Sequence, residues 1–366
     1  MAVPGVFNDA QLSDYLTYIG IGPGHPLYMQ RYSGHAAQDI HLLTQLHIHM
    51  ISTIPYENLS LHYNPTHTIQ IKPEGTFQKT VGNARGRGGY CMENTVFYHH
   101  ILRSLGFPSY LAPVRIRHRV DGVPQGDYSG WVHLVIVVML ANGSKWSVDV
   151  GFGGDCATAP VPLVHDQPQV NLGNQEIRFW RDHIPMQLLR TPETKHWIYQ
   201  YRNGKDQDWN SFYAFMEYEA MEPDFHNLNW YTGSHPESFQ TFTAIIVKFL
   251  RRPKVKDLGD GAHAGDQEIY GKRMLVNGII KENLGGKTSI VKDCKTEDER
   301  IAGLQEWFGM SFTEEEREGI KGWTTELRAD GSSNSDEVWH VKRGKQYRHE
   351  YQKVQNKVLA DNACVA

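Results

Sequence analysis

The run Trp131–Leu140 (WVHLVIVVML) is the most strand-like and apolar stretch of the chain, and it restricts the fold more than any other segment. Its longest clean apolar piece, Leu134–Ala141, is eight residues, far below the ~20 a helix needs to span a bilayer. The segment that follows supplies a strand partner, because Lys145–Val150 alternates after Ala141-Asn142-Gly143. Two residues are out of place in such a pair. His133 lies inside the apolar run, and Asp149 lies between Val148 and Val150, although a carboxylate is rarely buried unpaired. A hairpin that brings imidazole and carboxylate together explains both.

Register decides whether it can. A two-residue Asn142-Gly143 turn pairs Ala141 with Ser144 and puts His133 and Asp149 on opposite faces. A three-residue loop, Ala141-Asn142-Gly143, pairs Leu140 with Ser144, so that paired positions sum to 284. His133 then faces Gly151, and Asp149 is its diagonal neighbour on the same face, about 7–8 Å away at Cα. A two-residue turn with a bulge restores the same face. A His133–Asp149 pair therefore predicts a Gly-bearing three-residue loop or a bulge.

Around this hairpin the chain changes character twice. The first ninety residues read as helical. Asn8 and Gln11 form a capping-box pattern ahead of Leu12, Tyr15, Leu16 and Ile19, and Leu42, Leu43, Leu46 and Met50 recur at helical spacing. Gly82–Gly89 (GNARGRGG) is a loop by composition, and Val96, Phe97, His100, Ile101 and Leu105 resume the helical pattern until Gly106 and Pro108. Strand signals fill residues 108 to about 205: Tyr110–Arg119, the hairpin, Ile177–Trp180 and Trp197–Tyr201. From Tyr213 we expect a helical start, strands at Phe242–Leu250, Met274–Val276 and Ser289–Lys292, and a helix at Glu297–Phe308. Lys254–Ile269 reads as a surface loop, Ala329–Glu337 as a linker, and Val338–Ala366 as a polar C-terminal segment. The glutamates at 314–316, capped by Thr313, read as an exposed helix start.

Cys91 sits between the Gly-rich loop and the start of a helix, where unpaired N–H groups favour a thiolate. Arg85 and Arg87 are expected to add positive charge there, and Gly86, Gly88 and Gly89 let backbone approach the sulfur. A lone cysteine is also a common small buried hydrophobe, and Cys156, Cys294 and Cys364 are read that way. A thiolate nucleophile needs a base and an orienting group for the base; His133 and Asp149 have the right chemistry, but spacing alone does not bring them to Cys91.

Composition narrows the class. With 366 residues, a chain this size buries roughly three quarters of its unfolded surface and needs no disulfide or metal to fold. Lys plus Arg is 37 against 41 for Asp plus Glu, a net charge of −4, which gives no polyanion-binding signal. The four cysteines are too sparse for a disulfide scaffold and too far apart for a zinc pattern, and the histidines lack ligand spacing, so no metal is expected. No P-loop or dinucleotide fingerprint is present in Gly82–Gly89 or Gly151–Asp155. The N-terminus shows no basic stretch followed by an apolar one, so a cytoplasmic, reduced protein is expected.

Against this background, Arg87-Gly88-Gly89-Tyr90-Cys91-Met92-Glu93-Asn94 closely resembles the nucleophile motif, RGGxCxExN, of the arylamine N-acetyltransferases. Ile54–Leu59 (IPYENL) is similar to that family's (I/V)PFENL segment, with Tyr56 in place of Phe. Trp131–Leu134 and Val148–Gly153 resemble the segments that hold its His and Asp. Asn229-Trp230-Tyr231 with Ser234–Phe239, and Leu304–Phe312 (LQEWFGMSF), resemble its later landmarks. The resemblance spans about residues 10 to 312 and includes fungal-type members.

What the resemblance implies is an α+β, three-module fold. A helical bundle (1–107) carries the nucleophile, a β-barrel (108–212) carries His and Asp, an α/β lid covers 213–328, and 329–366 is a linker and extension. It makes Cys91 the acyl-thioester nucleophile, His133 its proton partner and Asp149 the orienter of the imidazole. Ser129, Gly130, Tyr231 and Ser238 match coenzyme A contacts; Ser238 lies in a Pro236–Phe239 stretch one residue shorter than in vertebrate members. Phe152 matches the residue lining the arylamine pocket, and Val132 and His133 match positions that border the thioester. The implied reaction is ping-pong transfer of an acetyl or malonyl group from acyl-CoA to an arylamine or hydrazine, with no tightly bound cofactor and no nucleic-acid or membrane partner. The same triad also serves cysteine amidases and amide synthases. The basic, aromatic segment Val338–Tyr351 is expected either to pack near the cleft and change donor or acceptor choice, or to be a solvated tail.

Overall fold

The computed structural model describes residues 4–120, 122–254, 263 and 265–328. Helix α1 (Asp9–Tyr18) opens on the expected capping box: Asn8 Oδ1 accepts from the Gln11 N–H at 3.0 Å, and Gln11 Oε1 from the Asn8 N–H at 3.1 Å. Helix α2 spans Ala36–Thr53. A two-residue strand β1 (Tyr56–Glu57), short helices α3 (Ser60–Tyr63) and α4 (Pro73–Phe77), and a π turn at Gln78–Gly82 lead to α5 (Cys91–Ser104). Leu12, Leu16, Leu43, Leu46, Met50, Phe97, Ile101 and Leu105 share one buried core among these helices.

Eight antiparallel strands follow: β2 (Ser109–Val120), β3 (Val123–Met139), β4 (Lys145–Val148), β5 (Val161–Pro162), β6 (Gln169–Val170), β7 (Glu176–Asp182), β8 (His196–Arg202) and β9 (Asn210–Phe215). They run in the order β5-β4-β3-β2-β9-β8-β7-β6. The sheet curls until it nearly closes, because His165, just past β5, bridges Phe179 in β7. Val114, Val135, Val137, Phe179, Tyr199, Tyr213 and Phe215 fill its interior; Tyr199 and Tyr213 lie stacked with centroids 4.5 Å apart. The helical start expected from Tyr213 is corrected here. Tyr213 is an inward residue of β9, directly opposite Tyr199 of β8, and the next helix, α6, begins at Glu222 and ends at Ser234.

The third region is a sheet of order β1-β10-β11-β12-β13, with β10 (Ile245–Pro253), β11 (Gln267–Val276), β12 (Ile279–Asn283) and β13 (Thr288–Asp293). Helices α7 (Glu297–Phe308) and α8 (Glu314–Gly319) pack beside it. Tyr56 pairs with Val247, so a piece of the N-terminal region is the edge strand of this sheet rather than part of the helices. The surface loop expected over Lys254–Ile269 is shorter than that, since Gln267–Ile269 already pair in β11. Residues 255–262 and 264, the expected linker Ala329–Glu337 and the segment Val338–Ala366 lie outside the described residues. Among the described residues no helix is long and apolar enough to cross a membrane.

Candidate active site

Cys91 is the first residue of α5 and is 5% exposed. Its loop is held by backbone approach and by buried charge. A Cβ on Gly88 would stand 1.9 Å from the Pro55 carbonyl oxygen, so only glycine fits there. Arg87 is fully buried; Nε donates to Glu57 Oε1 at 3.0 Å, one amino group donates to Glu316 Oε1 at 2.6 Å, and its guanidinium lies 5.0 Å from the Phe312 ring centroid. Arg85 also pairs with Glu316. The positive charge expected from Arg85 and Arg87 is therefore neutralised by carboxylates, a correction that the sequence spacing of 57, 87 and 316 hid. Burial works against the Glu57 charge, but Arg87 and Lys79 outweigh it and hold the carboxyl below its usual range. Glu93 pairs with Lys79 and accepts the Tyr90 N–H at 3.1 Å, closing the helix start. Glu316 is likewise more than an exposed helix residue.

On the opposing side, Ile136 pairs with Val148, Val137 with Ser147, Val138 with Trp146 and Met139 with Lys145. Leu140 N–H donates to the Ser144 carbonyl at 2.9 Å, which is the three-residue loop with Gly143 at φ +82°. The register is the one that puts both misfit residues on one face, and His133 Nε2 lies 2.9 Å from Asp149 Oδ2, with the two residues 1% and 2% exposed. Asp149 Oδ1 accepts the Gly151 N–H at 3.0 Å. A Cβ on Gly151 would sit 2.9 Å from Cys91 Cα, so this turn rests directly on the backbone of α5. Cys91 is within hydrogen-bond reach of His133; with Nε2 occupied by Asp149, Nδ1 is the nitrogen left for sulfur. Burial disfavours the imidazolium, yet Asp149 more than offsets it and Cys91 adds to the effect, pushing the His133 pKa up to about 10.

A bulge lies beside the histidine. Val114 opposes His133 while Arg115 opposes Trp131, so Val132 is an extra residue; it is half-buried, and Trp131 turns outward. Phe152 stands 5.3 Å from the His133 ring and contacts Phe212 and Tyr213 at 4.8 and 4.9 Å. Phe212 and Tyr213 were not picked out from sequence, although the alternation of β9 carries the signal. Tyr90 was also passed over; its hydroxyl bonds to Asn229 and, at 3.0 Å, to Thr232, tying α6 to the loop before Cys91.

The remaining expected positions scatter. Gly130 is exposed, and the Ser129 hydroxyl accepts the Ile116 N–H at 3.1 Å. Tyr231 is 37% exposed and stacks on His235. Ser238 is buried and its hydroxyl donates to the Thr232 carbonyl at 2.6 Å, facing inward rather than toward the cleft. Burial raises the Cys156 and Cys294 thiols. Among the described residues no group of three or more His, Cys, Asp or Glu is arranged to hold a metal.

A nearly closed barrel flanked by helices and a second sheet is the fold of the arylamine N-acetyltransferases. The structure matches that of the enzyme from Mycobacterium abscessus with a TM-score of 0.65 at 20% identity, over 85% of this chain and 93% of that one. It matches the Mycobacterium marinum arylamine N-acetyltransferase solved with CoA at a TM-score of 0.63 and 19% identity, over 84% and 98%. The family model described as N-acetyltransferase matches residues 39–256. The chain is also 30% identical over 334 residues to the N-malonyltransferase FDB2 of Fusarium pseudograminearum, covering 87% of this chain and 93% of that protein. The chain is an acyltransferase and belongs to the arylamine N-acetyltransferase family.

Proposed function

We propose that the chain transfers an acyl group from acyl-CoA to an aromatic amine or hydrazine through a thioester on Cys91, with malonyl-CoA as the preferred donor and acetyl-CoA as the alternative. The observation that carries the chemistry is the buried His133–Asp149 pair, 2.9 Å apart, set against a cysteine at a helix N-terminus. The likeness to an N-malonyltransferase over 87% of the chain supports the donor. In this reading the helices, the barrel and the β10–β13 sheet with its helices act as bundle, barrel and lid.

The Cys91 thiolate, paired with the His133 imidazolium, attacks the thioester carbonyl; N–H groups near the start of α5 stabilise the oxyanion. The carbon–sulfur bond to coenzyme A breaks, and the departing thiolate takes the His133 proton. The amine nitrogen then attacks the acyl-cysteine, neutral His133 accepts its proton, and Cys91 leaves as thiolate beside imidazolium. Asp149 keeps Nδ1 turned toward sulfur by holding Nε2. Val132 and Phe152 border the acceptor; Ser129, Gly130 and Tyr231 meet coenzyme A. Ser238 serves that role only if its bond to Thr232 opens. A cytoplasmic setting keeps the nucleophile reduced.

Intact-protein mass after incubation with malonyl-CoA or acetyl-CoA tests this. A single acyl adduct, absent from Cys91→Ala and discharged by an arylamine, is expected. No adduct on free, reduced protein would point instead to an amidase using the same residues.

A further inference from the structure

The hydrogen bonds around Tyr56 have a fixed direction. The Ile245 N–H can only donate, and it reaches Asn58 Oδ1 at 2.8 Å, which orients the Asn58 amide. Asn58 Nδ2 therefore donates to Gln240 Oε1, at 2.9 Å. The other end of that amide, Nε2, donates to the Tyr56 oxygen at 2.6 Å. The phenol is thus an acceptor toward Gln240, and its own proton has no partner among the described residues. Donation into the oxygen strengthens the O–H as a donor.

Strand register places the Tyr56 ring. Tyr56 pairs with Val247 and Val247 with Met274, so the three share a sheet face, and Lys272, two residues before Met274, shares it too. That face covers the turn after Asp149. A Cβ on Gly153 would lie 3.7 Å from the Tyr56 ring; one on Gly154 would lie 3.6 Å from Met274 Sδ and 3.9 Å from Lys272 Nζ. Tyr56 itself bridges Gly89, two residues before Cys91. Lys272 donates to the Gly154 carbonyl; burial pushes its pKa down, and Asp155, the carboxylate that works against that shift, is itself paired with Arg119 at 2.8 Å, so an anion beside the ammonium would restore what burial takes away. The Tyr56 ring and Lys272 therefore flank a single turn beside Cys91, the ring carrying an O–H that no described residue accepts and the ammonium having no carboxylate partner among the described residues. An acetyl group offers nothing to either.

We infer that Tyr56 and Lys272 form the subsite for the free carboxylate of a malonyl group carried on Cys91, the phenol donating the hydrogen bond and the ammonium supplying the charge. The subsite rests on the transferase reading above, and it makes Tyr56, where the family motif has Phe, a determinant of donor choice.

Acylation of Cys91 by malonyl-CoA and by acetyl-CoA, followed by rapid-quench mass spectrometry, tests it in wild type, Tyr56→Phe and Lys272→Met. Each substitution is expected to lower the malonyl-to-acetyl ratio of second-order rate constants by about tenfold or more, the scale of one lost hydrogen bond to a charged group. Gln240→Leu, which lets the phenol rotate, lowers the same ratio by less and remains readable if Tyr56→Phe folds poorly. Equal losses with both donors would assign the hydroxyl to the reacting carbonyl and overturn the subsite, as would an unchanged ratio. A wild type that forms no adduct with either donor defeats the transferase reading itself, an outcome separate from a wild type that acylates with its preference untouched by the substitutions.

Discussion

The two halves of the active site are held in place by opposite means. On the Cys91 side, Arg87, Glu57, Glu316, Lys79 and Glu93 form a buried web of charge around a loop of glycines. On the histidine side, Leu134, Val135, Ile136 and Val137 are fully buried, and a strand register carries His133 and Asp149 together in an otherwise apolar hairpin. Position in the first half depends on every charge keeping its partner. In the second it depends on counting residues. Damage to one should appear chiefly as lost stability, and damage to the other as lost rate.

The sharpest test of that contrast is Asp149→Asn. The shape is kept while the imidazole loses its orienting charge, and the acylation rate is expected to fall about 10⁴-fold, as when an equivalent carboxylate is replaced in a catalytic triad. Rapid-quench measurement of the Cys91 adduct reads this directly, and a loss under tenfold would remove Asp149 from the mechanism. On the other side, Glu57→Gln leaves Arg87 buried with one partner fewer. Breaking such a pair costs about 3–5 kcal/mol, which urea unfolding would register; a loss below about 1 kcal/mol would mean that Glu316 alone satisfies the guanidinium.

A pH dependence confined to the histidine side is expected as well. The His133 pKa is raised from its ordinary 6.5 to about 10 in the folded chain. The folded state then binds the proton more tightly than the unfolded one, so this stabilisation is complete below pH 6.5 and fades as the pH rises through 10. Unfolding free energies of wild type and His133→Gln should converge over that interval. A constant difference between pH 6 and 10 would show that His133 carries no such shift.

The same contrast explains what the sequence disclosed. The hairpin was legible because its partners are sixteen residues apart and a two-fold side-chain period leaves few registers open. The helices around Leu12 and Leu43 were legible for a similar local reason. The role of Arg87 was not, because its partners Glu57 and Glu316 come from distant segments and nothing in local pattern ties them together. β1 was missed likewise: two residues cannot show alternation, and their partner begins at Ile245. Tyr213 misled because a short aromatic run, FYAF, has the apolar character of either element; its neighbours in β2 and β8 decide the matter. The coenzyme A positions came only from motif resemblance, and no local pattern could reveal that the Ser238 hydroxyl donates to the Thr232 carbonyl.

The loop at Ala141-Asn142-Gly143 bears on how such a chain can change length over evolution. Because facing positions there sum to a fixed number, losing or gaining one residue would move Asp149 to the wrong side of the sheet, whereas a change of two would leave the pair on one side. A compensating bulge between His133 and Asp149 is the other escape, and the β3–β4 pairing from Ile136 to Met139 contains none. The hairpin thus behaves as an odd-even counter. Insertions that are harmless in most surface loops would here be filtered by parity, and three exposed residues come under selection for their number rather than for their identity.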